Sequence, residues 1–254
     1  LQTIEKEFES YIQKKDSITY NKENKKFDIK EHYYFYALEL YSRAISNDAK
    51  HDFSKLLLEL IKKEGLELLT WSKKAIELQN RVNFINENMN SEFPLFTNEA
   101  LLESVDIWLE PYLQNITTVK ELEALDIYSI LLGIIPWEKQ QLLETLAPNS
   151  IKVPSGLNIK IDYSNPKNPI LAVKIQEIFG LSVTPKILNN TIALQIHLLS
   201  PALRPIQITN DLKSFWENSY DEVRKELFSK YKKHYWPTNP FEAVATSKTK
   251  KHMM

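Results

Sequence analysis

The chain has 254 residues and a formal net charge of −1, with 43% hydrophobic and 26% charged residues, the make-up of an ordinary globular protein long enough for two or three compact units. It has no cysteine, which excludes disulfides and thiolate metal sites and agrees with a reducing, cytoplasmic setting. No run approaches the ~18 consecutive apolar residues of a membrane span, and four glycines are little material for a glycine-lined cofactor loop.

Leu1, Ile4 and Phe8 recur at helical spacing, so residues 1–9 read as the end of a helix whose start is missing. The opening is acidic, unlike a signal peptide, and the absence of an initiator Met suggests a piece of something longer. Ile18 and Tyr20 alternate with polar neighbours, residues 21–26 (NKENKK) are a turn signal, and Phe27 and Ile29 resume the alternation. Residues 33–45 read as one long strand with Leu38, Leu40 and Tyr41 toward a core. Two or three antiparallel strands alone bury no core, so residues 1–46 are expected to be part of a β-barrel or sheet completed elsewhere.

Residues 47–147 read as a helical connector of about five helices. Asn47 or Asp48 caps the first, with Phe53, Leu56, Leu57 and Leu60 inward and Gly65 at its end. Ser72 starts the second, with Ile76, Leu78, Val82, Phe84 and Ile85 inward. Thr97 caps the third, which Pro111 stops. Thr118 and Glu121 form a capping box for the fourth, and Pro136 opens a fifth that ends at Pro148. Beyond Pro148 the apolar period returns to two. Antiparallel strands are expected at 151–153, 159–163, 170–175, 192–199 and 206–208. Asn210 or Asp211 then caps one helix, and Ser219 or Asp221 caps another running to Tyr231. Residues 148–241 thus form an α+β C-terminal domain, and the polar, basic residues 242–254 are expected to lack fixed structure. The fold class is α+β.

A phosphate-binding loop needs closely set glycines followed by Lys and Ser/Thr; the chain contains neither that pattern nor a GxGxxG. The five histidines (32, 51, 197, 234 and 252) are scattered without metal-ligand spacing, so no metal site is expected. His197 reads as a core or half-exposed residue of a strand, Asp221 and Glu222 as acids at a helix N-terminus, and Ser200 lacks a nucleophile elbow. No catalytic constellation emerges.

Charge is unevenly spread. Residues 92–147 hold ten acids against Lys120 and Lys139, whereas residues 224–251 hold eight bases against Glu226 and Glu242. A phosphate backbone is repelled by the first stretch and attracted by the second. Within the basic stretch Arg224, Lys225, Lys230, Tyr231, Lys232, Lys233, His234, Tyr235 and Trp236 interleave cations with aromatics, as in single-strand binding surfaces. The alternative is a solvated helix end with Tyr231 and Trp236 packed on the core.

Several blocks resemble a known family. They are WLEPYL (108–113), LGIIPWE (132–138), LAPNSIKVPSGLNIKIDYS (146–164), LAVKIQEIFGL (171–181), HLLSPALRPIQIT (197–209), FWENSYDEVRKEL (215–227) and KYKKHYWPTNP (230–240). In order and spacing they look like the C-terminal region of bacterial HrpB-type DEAH-box ATP-dependent helicases, from about Leu66 to Pro240. The strands around Tyr20 and Asn21 look, more weakly, like that family's oligonucleotide-binding (OB) region. Leu203 departs from the family's usual basic residue, and Tyr235 replaces a proline.

The resemblance implies a parent RNA helicase that uses ATP and Mg through motor domains absent from this chain. This piece is then expected neither to bind nor to hydrolyse ATP. Its partners would be single-stranded RNA, the motor domains of the same polypeptide and another protein. Arg204, Arg224, Lys225, Lys232, Lys233, His234 and Trp236 would form an accessory nucleic-acid surface. Alternatively the acidic helices bearing Glu99, Glu103, Asp106 and Glu110 dock on the motor or on a partner.

Overall fold

A computed structural model describes residues 9–45 and 53–252; the helix end expected at residues 1–8 and the caps expected at Asn47 and Asp48 lie outside them. The described residues are mixed α+β and fall into two compact units, which divide the chain at Ile76/Glu77, Leu95/Phe96 and Ile134/Ile135.

In the first unit β1 (Ile12–Asn21), β2 (Lys26–Phe35) and β3 (Leu38–Ala44) form an antiparallel meander. The single strand expected at 33–45 is in fact two, because the chain reverses after Phe35 through Tyr36, whose φ is 53°. The β2–β3 register also slips between Tyr33 and Tyr34. The inward face therefore belongs to β2: Phe27, Ile29 and Tyr33 are buried, whereas Leu38 is 64% exposed and Tyr41 37% exposed. Tyr41 instead stacks on Tyr33, with centroids 4.5 Å apart. The Tyr33 hydroxyl donates to Glu31. That hydrogen bond to a carboxylate, with burial second, pushes the phenol up to about 12.

Helix α1 (Ser54–Glu64) turns Phe53, Leu57, Leu60 and Ile61 inward. It stops at Gly65, whose φ of 101° suits glycine and whose N–H reaches the Ile61 carbonyl at 2.8 Å. The third expected helix is split into α3 (Asn98–Glu103) and α4 (Val105–Trp108); α2 is described with the second unit. At the break the Ser104 hydroxyl donates back to the Ala100 carbonyl at 2.7 Å, a bond that competes with regular helix. Thr97 caps α3 as expected, and Thr118 with Glu121 closes the capping box on α5 (Val119–Glu123). A helix that the periodicity did not separate, α6 (Ile127–Ile134), is opened by Asp126, whose carboxylate accepts from the Ser129 hydroxyl at 2.6 Å. These bonds from Ser129 hold the Asp126 carboxyl below the usual range.

The second unit contains most of α2 (Lys73–Asn88) and all of α7 (Trp137–Leu146). Its sheet uses β4 (Ser150–Lys152), β5 (Asn158–Asp162), β6 (Ile170–Lys174), β9 (Gln195–Leu199) and β10 (Pro205–Thr209), in the order β10-β9-β6-β5-β4. Expected as antiparallel throughout, it is mixed, because β6 and β9 run parallel. Parallel neighbours need a long connection. Here it holds a 3-10 turn (Ile175–Ile178) and the small hairpin of β7 (Lys186–Ile187) and β8 (Ile192–Ala193). Leu171 pairs with Ile196 and Val173 with Leu198, all four buried, so one face of the sheet is core. Asp211 caps α8 (Leu212–Asn218), and α9 (Tyr220–Lys230) follows. Phe179, Phe215, Trp216 and Tyr220 form one aromatic cluster, with the Trp216 and Tyr220 rings 5.3 Å apart. The tail expected to lack fixed structure is packed in its described part, with Ala243 and Thr246 each only 9% exposed.

Candidate nucleic-acid interface

Helix α9 gives way at Tyr231 to a short basic turn. The Tyr231 carbonyl accepts the His234 N–H at 3.0 Å and the Trp236 indole N–H at 3.1 Å, so one acceptor closes the turn and ties it to the domain. The Tyr231 hydroxyl lies 3.4 Å from the hydroxyl of Ser200, which is 2% exposed. Ser200 in turn accepts from the Arg204 N–H at 3.1 Å and donates its own N–H to the Arg204 carbonyl at 2.9 Å, shaping the turn between β9 and β10. The basic turn and the Arg204 hairpin are thereby brought together across more than 25 residues of sequence.

Not all the sequence-selected residues reach the surface there. Arg204, Lys225, Lys232 and Lys233 are exposed, and among the described residues none has a carboxylate within 4.0 Å. Arg224 is largely covered, its side chain 22% exposed and its Nε 3.6 Å from an Asp221 oxygen, so it is part of the helix's own packing. Trp236 is 6% exposed and is a core residue. The pattern of alternating bases and rings could not separate these cases, because a ring that anchors a chain end and a ring that stacks on a base look alike in sequence.

His234 is half-buried with Nδ1 3.0 Å from the amide oxygen of Gln176, a bond the neutral Nδ1–H tautomer satisfies. Burial, reinforced by nearby Lys174, lowers its pKa from 6.5. The folded chain then holds this proton less tightly than the unfolded chain. The ring's contribution to stability is complete above about pH 6.5 and is lost as pH falls toward the lower folded value. Melts between about pH 7.5 and about pH 5.5 should show this fall in the wild type and a shallower one in His234→Gln. Equal pH dependence in both would exclude His234 as a source.

The remaining sequence candidates take structural places. His197 is half-exposed, its Nε2 3.0 Å from Gln195 on the same strand face. Asp221 and Glu222 occupy the first turn of α9. The sequence reading missed a cross-strand chain in the first unit: Ser17 Oγ is 2.8 Å from His32 Nε2, and His32 Nδ1 is 2.8 Å from Glu39. It joins residues of three strands, so no local motif marks it. The backbone of β2 is committed to ladders on both sides, which leaves no pair of N–H groups there to receive an oxyanion. This chain is a polar ladder on an open sheet face. The first unit also has a cleft of about 250 Å³ beside Tyr20, Lys25 and Leu69, where Lys22 pairs with Glu64 at 3.1 Å. Its lining carries both charge signs, Lys22 and Lys25 with Glu64, Glu67 and Glu123. The chain has no glycine-rich phosphate loop, and among the described residues no three His, Asp or Glu are grouped so as to hold a metal ion.

Residues 108–240 match the ATP-dependent helicase C-terminal family, HrpB_C. The ATP-dependent RNA helicase HrpB of Escherichia coli K12 is 35% identical over 209 residues, which are 82% of this chain and 26% of that protein. The chain thus spans about a quarter of that relative's length. A crystal structure of the E. coli DExH-box NTPase HrpB superposes with a TM-score of 0.77 at 30% identity, over 98% of this chain and 31% of the other. A second, of the Escherichia coli DEAH/RHA helicase HrpB, gives 0.67 at 30% identity over 89% and 29%. With the family's pattern running through more than half of its residues, this chain belongs to the HrpB_C family of ATP-dependent helicase C-terminal regions.

Proposed function

We propose that the chain is the accessory C-terminal region of an ATP-dependent RNA helicase and that its basic C-terminal face holds the phosphate backbone of a single strand. ATP and Mg belong, in this reading, to motor domains outside the chain. One observation carries the assignment: four exposed cations have no carboxylate partner among the described residues, Lys225 on α9 and Arg204, Lys232 and Lys233 on the two turns that Tyr231 and Ser200 join. A fixed array of unneutralised charge suits a polyanion and gains affinity by releasing its counterions. We also take the meander β1–β3 as part of an OB-like fold. Its two outer edges carry no partner strand among the described residues, which suits a barrel finished by other chain segments.

RNA binding followed against salt tests the assignment. Each lost contact should flatten the log–log slope by about 0.7, so Lys232→Gln with Lys233→Gln should flatten it by about 1.4. A slope unchanged by the pair removes these residues from the interface.

A second reading has its own observation. Ile107 is 78% exposed and Tyr112 47% exposed, in a segment that also carries exposed Glu99, Glu103 and Asp106. An apolar spot with acidic neighbours suits a basic protein surface, such as a motor domain or a partner, rather than RNA. Ile107→Glu would weaken such docking and leave RNA binding unchanged.

A further inference from the structure

The family match ends at Pro240, yet the chain beyond it is seated on the same domain. The Gly180 N–H donates to the Pro240 carbonyl at 2.8 Å. Gly180 has a φ of 79°, and a Cβ there would lie 3.4 Å from the Ala243 carbonyl oxygen, so the chain passes closely over a residue without a side chain. Further on, the Thr246 N–H donates to the Gln176 carbonyl at 2.9 Å. The Lys248 N–H donates to the Thr246 hydroxyl at 3.0 Å, and the Lys250 N–H to the Lys233 carbonyl at 3.0 Å. The Lys250 ammonium sits 5.4 Å from the centre of the half-exposed Phe228 ring.

These bonds converge on the basic turn. Gln176, 3% exposed, accepts Thr246 through its backbone, while its side chain holds the Tyr235 carbonyl and the His234 ring, each at 3.0 Å. One buried residue thus fixes both the turn and the strap. The strap's last bond is made to Lys233 itself. Its backbone groups do the anchoring, which leaves the side chains of Lys248, Lys250 and Lys251 exposed; none has a carboxylate within 4.0 Å among the described residues. Placing three more cations beside Lys232 and Lys233 is electrostatically unfavourable unless a polyanion neutralises them.

We infer that residues 241–252 are a seated strap that extends the phosphate-binding face, with Lys248, Lys250 and Lys251 contacting the backbone of a single-stranded nucleic acid. The inference rests on the reading given under Proposed function. The probe is a labelled single-stranded RNA of mixed sequence, titrated at several salt concentrations against the full 254-residue chain. Lys248→Gln/Lys250→Gln/Lys251→Gln leaves the seating hydrogen bonds intact, since they use backbone groups, and gives up only the contact of the Lys250 ammonium with the Phe228 ring. It should flatten the salt slope by about 2. Thr246→Pro keeps every charge but removes the N–H given to Gln176. It should weaken binding several-fold at low salt, with the thermal melt of the domain retained. Wild-type protein without salt-dependent RNA binding would sink the underlying reading. Wild-type binding that the triple variant reproduces in affinity and slope overturns the strap alone. A flattened slope in the triple variant with Thr246→Pro binding like wild type also overturns it, because the tail's charges would then act without being seated.

Discussion

Trp236→Ala should cost the protein ~3–5 kcal/mol of stability, the usual range for removing a buried Trp. For a domain of this size that lowers the melting temperature by ~10 °C. The indole is 6% exposed, and its N–H is one of two donors to the Tyr231 carbonyl, so the substitution both opens a cavity and loosens the basic turn. Trp236→Phe keeps most of the burial and loses only the hydrogen bond, which places it at ~1 kcal/mol. The opposite outcome is equally definite. A base-stacking Trp236 would leave the melt unchanged and cost ~1–3 kcal/mol of RNA affinity with little change in salt slope. An unaltered melting curve for Trp236→Ala therefore ends the core assignment.

How far the sequence could be read depended on the range of the interactions involved. Capping is local, and Thr97, Thr118 with Glu121, and Asp211 all cap where their spacing placed them. Apolar period told strand from helix on either side of Pro148, and the quoted blocks resembled the family that residues 108–240 match. What failed was long-range or depended on one unusual backbone angle. The positive φ at Tyr36 turns one expected strand into two, and residues on the far side of such a turn no longer share the face that simple alternation assigns them. The parallel pairing of β6 with β9 depends on where a connection of about 20 residues returns, and nothing in either strand records that. Small-residue, basic composition made the tail look unstructured. Its anchors are backbone N–H groups to Gln176 and Lys233, which every sequence other than proline supplies.

The same distinction applies to the surface. Lys232 and Lys233 were legible because a long cation just past a helix end is exposed in most folds, Lys225 because a lysine in a polar helix is, and all three are exposed here. Arg224 and Trp236 required knowledge of what α9 packs against. Arg204 belongs with the basic turn only through Ser200 and Tyr231, a link between a hairpin and a helix end that sequence separation hides.

One buried cation was visible in the sequence and passed over. Leu78, Val82 and Ile85 mark the inner face of α2, and Arg81 falls on that same face, three residues after Leu78 and four before Ile85. A charge at such a place is either a cost or a cap. Here the side chain is 6% exposed, its Nε donates to the Ala147 carbonyl at 2.6 Å, and one Nη donates to Glu144 at 2.7 Å. It therefore closes the C-terminal end of α7, where the helix leaves carbonyls unpaired and favours positive charge. Arg81→Ala leaves the Ala147 carbonyl without its guanidinium donor and should destabilise the chain by ~1–3 kcal/mol, the cost of a buried acceptor left unsatisfied. Arg81→Lys should recover only part of this, since one ammonium cannot reproduce the guanidinium fork. Glu144 is 62% exposed, so Glu144→Gln should change stability by ~1 kcal/mol or less. Urea unfolding of the three variants separates the roles. A loss at Glu144 equal to that at Arg81 would mean that the ion pair dominates, whereas a large loss at Arg81 alone identifies the backbone carbonyls of α7 as its principal partners.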